Sequence, residues 1–114
     1  MAYDEELANR LREVLSEHAA VPGRLSEKRM FGGLGFMIRG HLAVSASGRG
    51  GLLLRCDPAR TDALVATEGV DRFVMRGREM DGWLHVQPSV IGTKARLRTW
   101  VGYGVAYAES LPAR

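Results

Sequence analysis

Four side chains in this 114-residue sequence could act as nucleophile, base or soft metal ligand: Cys56, His18, His41 and His85. Cysteine chemistry needs a thiolate, an imidazole within reach and a polar, partly open setting. Cys56 instead ends the apolar run Leu52-Leu53-Leu54, where a small hydrophobe belongs. His85 alternates with Leu84 and Val86 and should lie on the opposite face from them. No Cys or His pair has the spacing of a zinc site. These residues read as one buried thiol and three ordinary histidines. No catalytic group, metal or cofactor is expected.

Anion recognition is the other chemistry on offer. Arg29-Met30-Phe31-Gly32-Gly33-Leu34-Gly35-Phe36 places three glycines between apolar positions, after basic residues. Glycine backbone at a sharp corner can present N–H groups to a phosphate. The known phosphate loops run from a strand into a helix, however, and no helical pattern follows this one. A turn or bulge that bends a sheet is the plainer reading. Lys94, Arg96 and Arg98 form the densest basic group, and Arg76 and Arg78 could extend it. On a helix, 94 and 98 share a face while 96 points elsewhere. Such residues could hold phosphates of a nucleic acid, or simply form a solvated face. Few aromatics are interleaved with them, so a base-stacking platform is not indicated.

The elements that must position these groups follow from periodicity. Asp4 caps a first helix whose buried stripe is Leu7, Leu11, Val14, Leu15 and His18, with a stop at Val21-Pro22-Gly23. Strand patterns follow at 28–31, 35–39, 41–47 and 52–55, with a short turn at Gly40-His41. Asp57-Pro58 opens a second helix that ends at Glu68-Gly69. Strands at 73–76 and 83–86 flank a polar connection from Gly77 to Gly82. Thr93 caps a last helix bearing Leu97, Trp100, Val101, Gly104, Val105, Ala108 and Leu111 on one face. Consecutive strands without intervening helices indicate an α+β fold. The expectation is an antiparallel meander of five to six strands, flanked by N-terminal, middle and C-terminal helices. Its second sheet face is expected to meet water or another subunit.

Arg29-Met30-Phe31-Gly32-Gly33-Leu34-Gly35-Phe36, continuing to Gly40-His41-Leu42-Ala43, resembles the N-terminal domain of the TfoX/Sxy family. Leu52-Leu53-Leu54-Arg55, the Phe73 to Trp83 segment with its Gly77-Arg78-Glu79-Met80 turn, and the Trp100-bearing helix also fit. The resemblance covers nearly the whole chain. It implies helices flanking a meandering sheet, with Arg29, Met30, Phe31, Gly32, Gly33 and Gly35 as a structural motif. Full-length members of that bacterial family regulate competence genes, act with the cyclic-AMP receptor protein at promoters and carry a second, helical domain. With the chain ending at Arg114, the expectation is a stand-alone N-terminal module. The family offers no catalytic motif to carry over.

Size and composition bound the reading. One domain over residues 1–114 is expected, and a chain of this length can bury a core without disulfides or metal. Hydrophobic residues at 46% and charged residues at 25% are ordinary for a globular protein. The formal charge is +3, but the first twenty residues are net negative, which leaves an excess of basic groups for the remainder. That asymmetry leaves room for an anionic partner. A single cysteine, an acidic start and no long apolar run point to the cytoplasm and away from a membrane.

The leading functional expectation is a regulatory or interaction module, not an enzyme. It would bind a protein such as a transcription factor, or a second copy of itself, through an apolar sheet or helix surface ringed by arginines. Met30, Met37, Met75 and Met80, with Phe31, Phe36 and Phe73, could line that surface or fill the core. Trp83 and Trp100 are core candidates first and interface anchors second. The alternative is direct nucleic-acid binding through Arg76, Arg78, Lys94, Arg96 and Arg98. A third reading is a small ligand or an unrecognised reaction at the Gly32–Gly35 corner.

Overall fold

The computed structural model describes residues 4–17, 25–30 and 32–112. His18, Val21-Pro22-Gly23 and Phe31 lie outside the described residues.

Asp4 accepts a hydrogen bond from the Leu7 amide (3.1 Å) and starts α1 (Glu5–Ser16). Glu5 and Glu6 sit in its first turn, where the helix dipole favours acids. Strands β1 (Leu25–Met30), β2 (Gly33–Ile38), β3 (His41–Ala46) and β4 (Leu52–Arg55) then form a meander. Asp57 caps only a 3-10 turn (Pro58–Arg60), and α2 (Thr61–Val65) follows it. β5 (Val70–Met75) and β6 (Arg78–Val86) come next, then a second 3-10 turn (Pro88–Ile91). α3 (Lys94–Ser110) closes the fold, with Thr93 accepting from the Arg96 amide as its cap.

The described strands form one six-stranded antiparallel sheet in the order β1-β2-β3-β4-β6-β5. The α+β architecture with three helices matches the sequence reading, and the sheet order adds one detail. β4 pairs with β6, so β5 takes the edge. β4 and β5 therefore run the same way, and strands that do so need a crossover rather than a hairpin. α2 and its 3-10 turn supply it.

The β5–β6 connection differs from expectation. Two turn signals compete there, Arg76-Gly77 and Asp81-Gly82, and Asp-Gly is the stronger of the two in isolation. The chain turns at Arg76 (φ +55°) and Gly77 (φ +77°), and β6 already begins at Arg78. Gly82 (φ +83°) instead sits inside β6, at the register shift between Arg72 and Phe73. Its amide donates to Thr61 Oγ1 (2.7 Å), and its carbonyl accepts from the Cys56 amide (2.8 Å). Those two bonds tie the bulge to the crossover, and so override the local preference for a turn. β2 and β3 are joined by a matching Arg39-Gly40 turn, with φ of +54° and +86°.

Alternation along the strands sends Phe36, Ile38, Val44, Leu52, Leu54, Leu84 and Val86 toward α1 and α3. α1 contributes Leu7, Leu11, Val14 and Leu15; α3 contributes Leu97, Trp100, Val101, Val105 and Ala108. The opposite sheet face was expected to be uncovered, and it is not. Leu42, Ser45 and Leu53 are only 3%, 1% and 2% exposed. The Met30 side chain lies beside Gly35 and Leu42, and Phe73 and Val74 of β5 share a cavity with Ser45 and Leu53. Both edge hairpins thus close over this face. Val74 is the exposed large apolar side chain among the described residues.

Gly104 sets how near α3 comes to the sheet. A β-carbon there would stand 2.5 Å from the Ala43 carbonyl oxygen and 2.8 Å from Leu54 Cδ1. The Ala43 oxygen is backbone in the central sheet and has nowhere to move. Gly104→Ala is therefore expected to destabilise by about 1–3 kcal/mol through overpacking, against the roughly 1 kcal/mol it gains in helix propensity. Gly102, on the same helix, has nothing within 4 Å of such a carbon. Gly102→Ala should gain up to about 1 kcal/mol. Urea unfolding of the two variants checks the opposite signs.

Candidate functional site

The basic group expected from sequence does not form one surface. Lys94 Nζ lies 2.6 Å from Glu13 Oε1 and 3.3 Å from Glu17 Oε2. Arg98 grips Glu17 with both arms, at 2.8 and 2.9 Å. These two cations are thus taken up by Glu13 of α1 and by Glu17 at its C-terminal cap. On the other side of α1, Arg12 holds Glu27 of β1 with bonds of 2.7 and 2.8 Å. Part of the charge asymmetry between the start of the chain and the rest is therefore internal complementarity, through Glu13 and Glu17.

Arg96 points elsewhere, as helical spacing requires, and lines an open groove with Glu68, Gln87, Ser89 and Trp100. Arg76 lies at the hairpin turn and borders the cavity on the second sheet face. Arg78 is exposed at the first position of β6, opposite Met75. Arg76, Arg78 and Arg96 make no ion pair among the described residues. The neighbouring Arg72 does, bonding Asp81 at 2.9 Å and also Asp62.

At Gly33 and Gly35 the glycine corner is filled by protein, whereas a β-carbon at Gly32 (φ +73°) would have nothing within 4 Å. A β-carbon at Gly33 would collide with the Ala46 carbonyl oxygen, and one at Gly35 would stand 2.6 Å from Met30 Sδ. These glycines let β1 and β3 close on β2. Arg29 is exposed on β1 beside them.

The reactive residues are dispersed. Cys56 is 1% exposed, and burial pushes its thiol above the ordinary range. His41 Nε2 donates to the Pro112 carbonyl (2.6 Å), and its buried Nδ1 has no partner among the described residues. His85 Nε2 donates to the Gly50 carbonyl (2.7 Å). Among the described residues no three His, Cys, Asp or Glu side chains are grouped to hold a metal ion. No helix among them is long and apolar enough to cross a membrane.

A different set of residues does converge. Along the flank of α3, Tyr103 and Tyr107 lie one helical turn apart and half-buried. Arg60 stacks 4.7 Å above the Tyr103 ring. Arg55 lies 5.3 Å from the Trp83 ring centroid and 5.5 Å from that of Tyr107. Trp100 meets Tyr103 edge to face, with centroids 5.3 Å apart and planes at 83°. A shallow cleft between Arg60, Tyr103 and Tyr107 has Cys56 at its base. Cation–ring stacking fixes both guanidinium planes while leaving their N–H edges available. Chemically, this face can receive carboxylates and aromatic or apolar side chains. The sequence reading passed over Arg55, Arg60, Tyr103 and Tyr107. The one available signal was Tyr103-x-x-x-Tyr107, beside the apolar stripe rather than in it.

The family model described as TfoX N-terminal domain matches residues 16–108 of the chain. Comparison with curated proteins and with solved structures returned no match.

Two outcomes follow from this geometry. Arg98 and Lys94 hold the Glu17 carboxyl down to about 2. A depressed folded-state value stabilises above the unfolded value of 4.5 and is lost as pH falls toward about 2. Urea midpoints should therefore fall between those pH values, and Glu17→Gln should flatten that fall. Cys56 should resist thiol reagents in the native protein and react at the rate of a free thiol once urea unfolds it.

Proposed function

Because this chain belongs to the TfoX N-terminal domain family, we propose that it is a small regulatory module. In this reading it recognises a protein partner of the transcription machinery through the aromatic–arginine flank of α3. The role follows the competence and transcription regulation that the family resemblance implies, and in this reading the protein acts in the cytoplasm. The observation that carries the mode of action is the stacked set Arg55, Arg60, Trp83, Tyr103 and Tyr107. Tyr, Trp and Arg dominate the energetics of protein interfaces. Rings and guanidiniums already held in place lose little further entropy on docking. The partner that fits is an acidic surface carrying an apolar or aromatic anchor. A second copy of this chain fits less well, because the same face would bring Arg55 and Arg60 toward their own likes.

Direct nucleic-acid binding is the second reading, supported by the lack of ion pairs at Arg76, Arg78 and Arg96 among the described residues. It is weakened by the loss of Lys94 and Arg98 to Glu13 and Glu17.

The two readings separate in one experiment. A photo-crosslinking residue placed at Ala106, exposed beside the cleft, should capture a transcription factor or polymerase subunit in the host. Affinity for the captured protein should fall at least roughly tenfold in Arg60→Ala and Tyr103→Ala. It should change little in Arg76→Gln/Arg78→Gln. The reading fails if the α3 variants bind as the parent does. Steeply salt-dependent DNA binding that disappears in Arg76→Gln/Arg78→Gln would establish the second reading instead.

A further inference from the structure

We propose that the cavity beneath the β5–β6 hairpin is a binding site for a small terminal oxyanion, either a phosphomonoester or phosphate group or a carboxylate. It lies on the sheet face opposite α3 and goes beyond the role proposed for that helix. Its volume is about 230 Å³. That is below the range of drug-sized ligands and suits a compact anion.

The floor is polar although it is buried. Ser45 is 1% exposed and sits in the central strand β3, between Gly35 and Leu53 in register. Among the described residues its hydroxyl makes one bond, a 3.4 Å donation to the adjacent Ala46 carbonyl. That is beyond the ordinary length for O–H···O and is easily exchanged for a better acceptor. Buried hydroxyls normally find full-strength partners, so this one asks for an explanation. Ser47, 8% exposed, stands two residues along on the same face. Its oxygen accepts from the Arg49 amide (3.1 Å), which leaves its own proton to donate. Leu53 and Phe73 wall the cavity.

The mouth carries two arginines, and no acid is among the described residues that line the cavity. Arg49 comes from the β3–β4 turn and Arg76 from the β5–β6 turn. Both are exposed, and neither guanidinium makes an ion pair or side-chain hydrogen bond among the described residues. Glu79, which faces Val74 across the hairpin, is not bonded to Arg76. Elsewhere in this protein Arg12, Arg72 and Arg98 each take a carboxylate. Two forks above two hydroxyls can surround three or four oxygens of one anion. The recessed hydroxyls favour a terminal group over a phosphodiester flanked by sugars.

The test is an NMR titration of the full chain at constant ionic strength, with inorganic phosphate, acetate and chloride as probes. Phosphate, acetate or both should produce saturable shifts at the Ser45, Ser47 and Arg76 amides, and chloride should not. Which oxyanion binds more tightly decides between the phosphate and carboxylate sources. Arg49→Gln/Arg76→Gln should weaken binding at least tenfold, and Ser45→Ala should weaken it severalfold. Both arginine side chains are exposed, so the rest of the spectrum should remain that of the parent. The site is overturned if no saturable shift appears at tens of millimolar. It is equally overturned if chloride acts as well as the oxyanions, or if the arginine double variant binds like the parent.

Discussion

The approach of α3 to β3 at Gly104 is the constraint from which most of this structure follows. Helix and sheet backbones meet there with no side chain between them, since a β-carbon would stand 2.5 Å from the Ala43 oxygen. That closeness lets Leu97, Trp100, Val101, Val105 and Ala108 reach between the apolar side chains of β2, β3 and β4. Dense packing of this kind makes the position of the helix discrete rather than adjustable. It also decides which residues of α3 remain outside. Tyr103 and Tyr107 flank the buried stripe and are left half-exposed at the rim.

Ion pairs then span α1 and α3, whose apolar stripes already share the core. Glu13 and Glu17 meet Lys94 and Arg98, and Arg12 reaches across to Glu27 on β1. Exposed pairs of this sort add little stability one at a time. Their larger effect is on what the protein shows to others. By consuming two of the most prominent cations, they leave the remaining arginines in separate places. Arg55 and Arg60 lie over aromatic rings, Arg96 in a groove, and Arg49 and Arg76 around a polar recess.

The two faces of the sheet consequently differ in kind. The α3 side offers rigid rings and stacked guanidiniums, suited to a protein surface. The opposite side is covered by its own hairpins and offers a small polar opening. The bulge at Gly82 links them, because the same residue bends the hairpin and anchors α2 through Thr61. The conflict between the local Asp-Gly turn signal and the observed bulge lies at the element that shapes the recess.

Periodicity and capping alone determined α1 and α3, a helical segment after Asp57, the antiparallel sheet, the core stripe of α1 and α3 and the close packing at Gly104; the division of the middle segment into a 3-10 turn and a short α2 was not among them. Those signals are local, and each residue carries its own. The Met-Phe-Gly-Gly segment made the family legible for the same reason. What tertiary structure decided is which charges are neutralised and which aromatics meet which arginines. Glu17 and Arg98 are 81 positions apart, and Arg60 and Tyr103 are also far apart in sequence. No spacing rule reaches that far. Ser45 and Arg76 border one cavity only because β5 and β6 fold over β3 and β4, so that opening was invisible until the sheet was assembled.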